Sequence, residues 1–167
     1  MEKSGFFNSS GGDRLYDAAD FAGYFSKLVT SGIFYTAASN LQVTPGSGMS
    51  LSVAAGSAWI KGYAYENTDA LQLNLSTADG VKPRIDRVVL RLSAVERSVY
   101  LAVLTGTPSD NPAAPALTRT NDTYELGLAE ILIPKGAVSV VAQNITDTRL
   151  NQALCGLVNS LVSAVYE

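Results

Sequence analysis

The stretch 83–106, PRIDRVVLRLSAVERSVYLAVLTG, constrains the fold more than any other. It reads as two long strands joined by a short polar turn. Asp86, Val88, Leu90 and Leu92 fall on one side of the first strand. Ile85, Arg87, Val89 and Arg91 fall on the other, so that face is mixed. The alternation breaks over residues 93–98. The second strand, 99–104, is apolar on both sides and needs cover on both. The hairpin is therefore predicted to be the central pair of a mainly β domain, with earlier and later strands packed around it.

The flanking segments supply the rest of that domain. Residues 1–16 are rich in Gly, Ser and Asn and read as an extended arm. Its aromatic pair, Phe6 and Phe7, packs either on its own domain or on a neighbour. Residues 17–31 are predicted to form a helix. Asp17 can cap it by accepting a backbone N–H, and Asp20 adds negative charge to the first turn. Ala18, Phe21, Ala22, Phe25, Leu28 and Val29 follow helical spacing and predict one buried face. Gly32 is expected to end the helix as a left-handed cap. Short alternating strands follow around Leu41 and Val43, Met49, Leu51 and Val53, residues 57–65 with Gly62 at a bulge, and Leu71, Leu73 and Leu75. Beyond the hairpin, 107–123 carries three prolines and reads as an exposed loop. Residues 124–133 and 139–142 read as the last strands. The number and spacing of these segments predict a sandwich-like antiparallel core.

The C-terminal stretch predicts a second helix. Leu150, Leu154, Leu157 and Leu161 are spaced 4, 3, 4, which is an a/d seam. Val158, Val162 and Val165 widen the stripe, which suits three helices, or a helix on a sheet, better than two. The expected organisation is an arm (1–16), an attachment domain (17–149) and an oligomerisation helix (150–167), assembled as a homotrimer.

Composition narrows the function. At 167 residues and 47% hydrophobic, the chain can fill one core, while only 16% charge suggests a surface partly covered by partners. The formal net charge of −3, with no Lys/Arg cluster, disfavours nucleic acid. No stretch approaches the ~20 apolar residues of a membrane helix. The N-terminus lacks the apolar core of a signal peptide, so folding in a reducing cytoplasm is expected. The single cysteine, Cys155, rules out an intrachain disulfide and reads as a small core residue.

No catalytic, cofactor-binding or metal-ligating residue is predicted. The chain has no histidine, which removes the commonest general base and the His-dependent triads and metal sites. Arg84 and Arg87 flank Asp86, and Arg149 follows Asp147 by two residues. Such neighbours lower a carboxylate pKa, whereas a general acid needs it raised. These residues are expected to form structural ion pairs, with Asp147 capping the C-terminal helix. One alternative is a carbohydrate-binding module, in which Trp59, Tyr63 and Tyr65 stack on host cell-wall glycan with Asn67 and Asp69 as polar partners. Trp59 and Tyr63 are assigned to one strand face, where packing explains them equally well.

The order of motifs carries a resemblance. Phe7-Asn8-Ser9 and Gly12-Asp13-Arg14-Leu15-Tyr16 precede an aromatic helix. Then follow Met49-x-Leu51-x-Val53-x-x-Gly56-x-Ala58-x-Ile60-x-Gly62-Tyr63, Arg84-Ile85-Asp86-Arg87-Val88-Val89-x-Arg91, Leu101-x-Val103-x-x-Gly106-x-Pro108, Tyr124-Glu125-Leu126-x-Leu128-Ala129 and Asn144-Ile145-Thr146-Asp147-Thr148-Arg149. The series resembles the N-terminal attachment domain of baseplate, tail-fibre and receptor-binding proteins of tailed phages and phage-tail-like bacteriocins of Gram-positive bacteria. The resemblance implies a structural virion protein, assembled in the host cytoplasm, that docks on other baseplate or tail proteins and trimerises. Such fibre proteins continue into a stalk and head, whereas this chain stops at Glu167. It is expected to be an attachment domain cut from a longer protein, or a small baseplate component without a head.

Overall fold

The computed structural model describes residue 2 and residues 4–162. Among them the chain forms one α-helix, α1 (Ala18–Leu28), and ten strands. The strands are β1 (Gly32–Ile33), β2 (Val43–Pro45), β3 (Ser50–Val53), β4 (Gly56–Ile60), β5 (Tyr63–Asn67), β6 (Leu71–Asn74), β7 (Arg84–Ser93), β8 (Ser98–Leu104), β9 (Thr123–Ile133) and β10 (Ile145–Asp147). They make three antiparallel sheets, ordered β1-β4-β5, β10-β9-β7-β8 and β2-β3-β6. The expected mainly β, antiparallel class is correct; the strands are shared among three sheets. One apolar cluster joins them, with Ile33 and Ile60 from the first, Val88, Leu90, Leu126 and Ile131 from the second, and Leu51 and Val53 from the third.

The β7–β8 hairpin forms where the sequence places it, with Ser93 opposite Ser98 at the turn. Its place in the sheet differs from expectation. β9 pairs with the other side of β7, so β7 is central and β8 is an edge. The mixed face of β7 is reconciled by cross-strand pairing: Arg87 lies opposite Glu130, and Arg91 opposite Glu125. The 107–118 loop lies over this face and is therefore less exposed than its prolines suggest. The Thr118 N–H donates to Glu125 Oε2 at 2.6 Å, and the Leu117 methyls lie over Gly127.

Residues 56–67 fold as a tight hairpin, not one strand with a bulge. Lys61 and Gly62 both take positive φ (51° and 84°), as a two-residue hairpin turn of the primed kind requires. Gly62 is needed twice over, because a Cβ there would collide with the Ala22 backbone. α1 therefore crosses this turn in direct contact. Residues 139–142 form no strand; the Val140 N–H reaches Gly48 O on the β2–β3 turn. The last strand is β10, after a 3-10 turn over Ala142–Asn144.

The predicted C-terminal helix is absent from the described residues. Its backbone groups are committed elsewhere. A bulge in β9 skips Leu128, between the pairs Val88–Ala129 and Val89–Gly127. The Gly127 N–H donates to Leu154 O, and Gly127 O accepts from Thr148 Oγ1. Gly156 takes a positive φ of 82° and turns the chain. The segment then runs alongside β1, with Ile33 N donating to Gly156 O and Val158 N to Ile33 O, both at 3.0 Å. Gly32 does not cap α1. It sits beneath this segment, and a Cβ on it would stand 2.5 Å from the Leu157 carbonyl carbon.

Candidate functional site

The N-terminal arm and α1 build a continuous aromatic surface. Asp17 and Asp20 form a capping box that starts α1. The helix is short, and of the expected buried face only Ala22 is fully covered. Phe21 and Phe25 stay 47% and 38% exposed, because the β4–β5 turn beneath them is too narrow to cover more than one helical row. The arm folds back onto this uncovered row. The Tyr16 hydroxyl accepts from the Phe7 N–H at 2.9 Å, and the Phe6 ring stacks on Tyr16 with centroids 5.6 Å apart. Phe6 also meets Phe21 at 5.8 Å and Tyr24 at 4.9 Å. Tyr24 touches Phe25, Phe25 meets Trp59 edge-on at 5.3 Å, and Trp59 touches Phe34. These rings form one ladder from residue 6 to residue 59. Even so, Phe6 is 51% and Phe7 59% exposed, and Leu15 is almost fully so at 90%.

The six expected interface residues that are described fall in two places. Phe6 lies in this ladder, and Phe7 stands next to it in the arm with Arg14 over its ring. Leu150, Leu154, Leu157 and Leu161 form no seam: Leu154 and Leu157 are half-buried, Leu157 packs on the core, and Leu150 and Leu161 are exposed. Val165 lies outside the described residues. Tyr24, Trp59 and Phe34 belong to the ladder and were not expected there. A usable signal was the aromatic density of the arm and helix, which exceeds what an eleven-residue helix can bury.

The proposed sugar platform does not assemble. Trp59 lies opposite Ala64, whereas Tyr63 lies opposite Ile60 and Tyr65 opposite Ala58. Trp59 therefore faces α1, and Tyr63 and Tyr65 pack against the core from the other face. The error came from reading 57–65 as one strand; the turn at Lys61-Gly62 reverses the parity.

Of the charged residues singled out in the sequence, Arg84, Asp86, Arg87 and Arg149 are buried and Asp147 is half exposed. Arg84 donates through Nε to Asp86 Oδ1 at 2.9 Å and through Nη2 to Oδ2 at 3.2 Å. It also holds Thr77 O and Ser76 O, while Asp86 Oδ1 accepts from the Gly106 N–H at 2.8 Å. Arg87 pairs with Glu130 at 2.5 Å and not with Asp86, because it lies on the opposite face of β7. Arg149 grips Asp147 with Nε and Nη2, and its Nη1 donates to Ala38 O and Asn40 O. Asp147 thus ends a strand and caps no helix. Burial pushes its pKa up, but the bonds from the Arg149 side chain and backbone outweigh this and hold the carboxyl below its ordinary value. Burial pushes the Cys155 thiol up to about 12, so it is neutral at physiological pH. Among the described residues, no group of three or more His, Cys, Asp or Glu could hold a metal ion, and no helix is long and apolar enough to cross a membrane.

Comparison with protein-family models, curated proteins and solved structures finds no match. The fold and its exposed face describe a class, a mainly β protein of three antiparallel sheets that presents an aromatic surface.

Proposed function

We propose that this protein is a structural, non-enzymatic component of a phage tail baseplate or tail fibre, which docks and oligomerises through its arm–α1 face. The observation that carries the docking reading is the aromatic ladder. Phe6, Phe7, Leu15, Phe21 and Tyr24 are all between 46% and 90% exposed, and ring contacts connect most of them. Contiguous exposed apolar surface of this kind marks an interaction site. Aromatic residues supply most of the energy at such sites. The setting in a virion, the neighbouring baseplate proteins and the homotrimer rest on the order of motifs from Phe7 to Arg149. In this reading the three sheets act as one sandwich-like attachment unit, and the buried ion pairs keep its shape.

Two measurements test the proposal. Mass spectrometry of tail particles purified from a strain that encodes the chain should detect it as a stoichiometric component. Light scattering on the purified protein should give a trimer mass, and Phe6→Ser with Phe7→Ser should shift it towards monomer without loss of β-sheet signal. A wild-type monomer at high concentration, together with absence from the particles, would overturn the reading.

A further inference from the structure

A second surface has the opposite character. A cavity of about 420 Å³ opens between the end of α1, the β4–β5 turn and the start of β9. Its lining is mostly polar, and the buried Leu126 and the protonated Cys155 lie beneath it. Two cations converge on Tyr124 beside it. Lys61 Nζ stands 4.9 Å from the centroid of the Tyr124 ring, and Arg119 Cζ stands 5.5 Å from it. Both residues line the cavity, and among the described residues no carboxylate does.

The hydrogen-bond inventory is unbalanced in one direction. Arg119 uses Nη2 on Ala153 O and Leu154 O and Nε on Glu125 O, which leaves Nη1 without a partner among the described residues. Lys61 Nζ has no ion pair or hydrogen bond among them, and neither has the Gln152 side-chain amide. The adjacent carboxylate, Glu125, is fully buried and already takes the Arg91 guanidinium and the Thr118 N–H. Free donors therefore gather at the cavity, with no acceptor of full charge among the described residues to meet them. Such an arrangement favours a bound anion, because charge-assisted bonds are the strong ones.

We propose that this cavity is an anion site, which takes a small ligand through a phosphate or carboxylate group held between Lys61 Nζ and Arg119 Nη1, with Gln152 beside them. Its volume falls within the usual range for small-molecule sites, about 300–1,000 Å³. The chain itself hides the site from sequence inspection, since residues 61, 119–124 and 152 belong to three separate segments.

The test uses the full chain, labelled with ¹⁵N, titrated with inorganic phosphate and separately with acetate at an ionic strength fixed with sodium chloride. Saturable shifts of the Lys61 and Tyr124 amides are expected, with a midpoint on the order of 1–10 mM for the better anion. Which of the two anions binds more tightly distinguishes a phosphate-bearing from a carboxylate-bearing ligand. Lys61→Met should weaken binding about tenfold, the loss of one charge-assisted bond. Gln152→Glu places a carboxylate among the donors at an exposed position with no bond to lose. It should abolish the saturable shift and leave the melting temperature unchanged. No saturable shift with either anion, or an unchanged midpoint in either variant, would overturn the proposal. The outcome is independent of whether the protein belongs to a tail particle. Arg119 is left intact because its carbonyl bonds hold the 153–154 turn.

Discussion

At the scale of single residues, Asp86 ties together three parts of the chain. Through Arg84 it holds the 76–77 turn, and through the Gly106 N–H it holds the end of the β8 connection. Both side chains are almost completely buried. Replacing a buried ion pair with apolar residues can be neutral, but removing one partner strands the other charge. Asp86→Ala should therefore cost about 3–5 kcal/mol, read by chemical denaturation. Asp147 behaves differently because it is half exposed. Its folded pKa lies below the ordinary 3.8, so its contribution is complete above that value and is lost as pH falls through the folded pKa. The melting temperature of the wild type should drop more steeply below about pH 4 than that of Asp147→Asn. Parallel curves would show that the Arg149 contact contributes nothing. Cys155, held neutral by burial, should react with a thiol reagent only after unfolding.

At the scale of elements, the β4–β5 hairpin and α1 depend on one close approach. Gly62 combines a positive φ with direct contact to the Ala22 backbone. Gly62→Val adds strain and a steric clash together, so it should destabilise by about 2–4 kcal/mol or lift α1 off the turn. Trp59 reports which of these happens. It is the only tryptophan in the chain, and Phe25 and Phe34 flank it. Lifting α1 would expose the indole and shift its emission to the red. The C-terminal stretch makes the complementary point. Its leucine spacing fits a helix, but its backbone N–H and C=O groups bond to β1, to the α1–β1 link and to the β9 bulge. Gly32→Ala should loosen that segment, because the added methyl would meet the Leu157 and Gly156 carbonyls.

At the scale of the whole molecule, one apolar cluster closes three sheets, and the arm and α1 form an outer surface that the cluster does not absorb. Burial of that surface by a partner should shift Trp59 emission, even though the indole already has ring contacts on its own chain. The sequence by itself determined the local patterns. It specified the β7–β8 hairpin with its turn, the Asp17 cap, the strand class and the buried cysteine, because alternation, capping and side-chain chemistry act over a few residues. It also marked Arg84, Asp86, Asp147 and Arg149 as charges in need of partners, since each pair is only two residues apart. Tertiary structure decided whatever depends on distant neighbours. β9, from beyond the proline-rich loop, took the second side of β7 and left β8 at the edge. The Lys61-Gly62 turn reversed the side-chain parity that the sugar platform needed. The bulge at Leu128 and the edge of β1 offered backbone partners to residues 148–158, and those long-range bonds overrode a helical periodicity confined to fewer than three heptads.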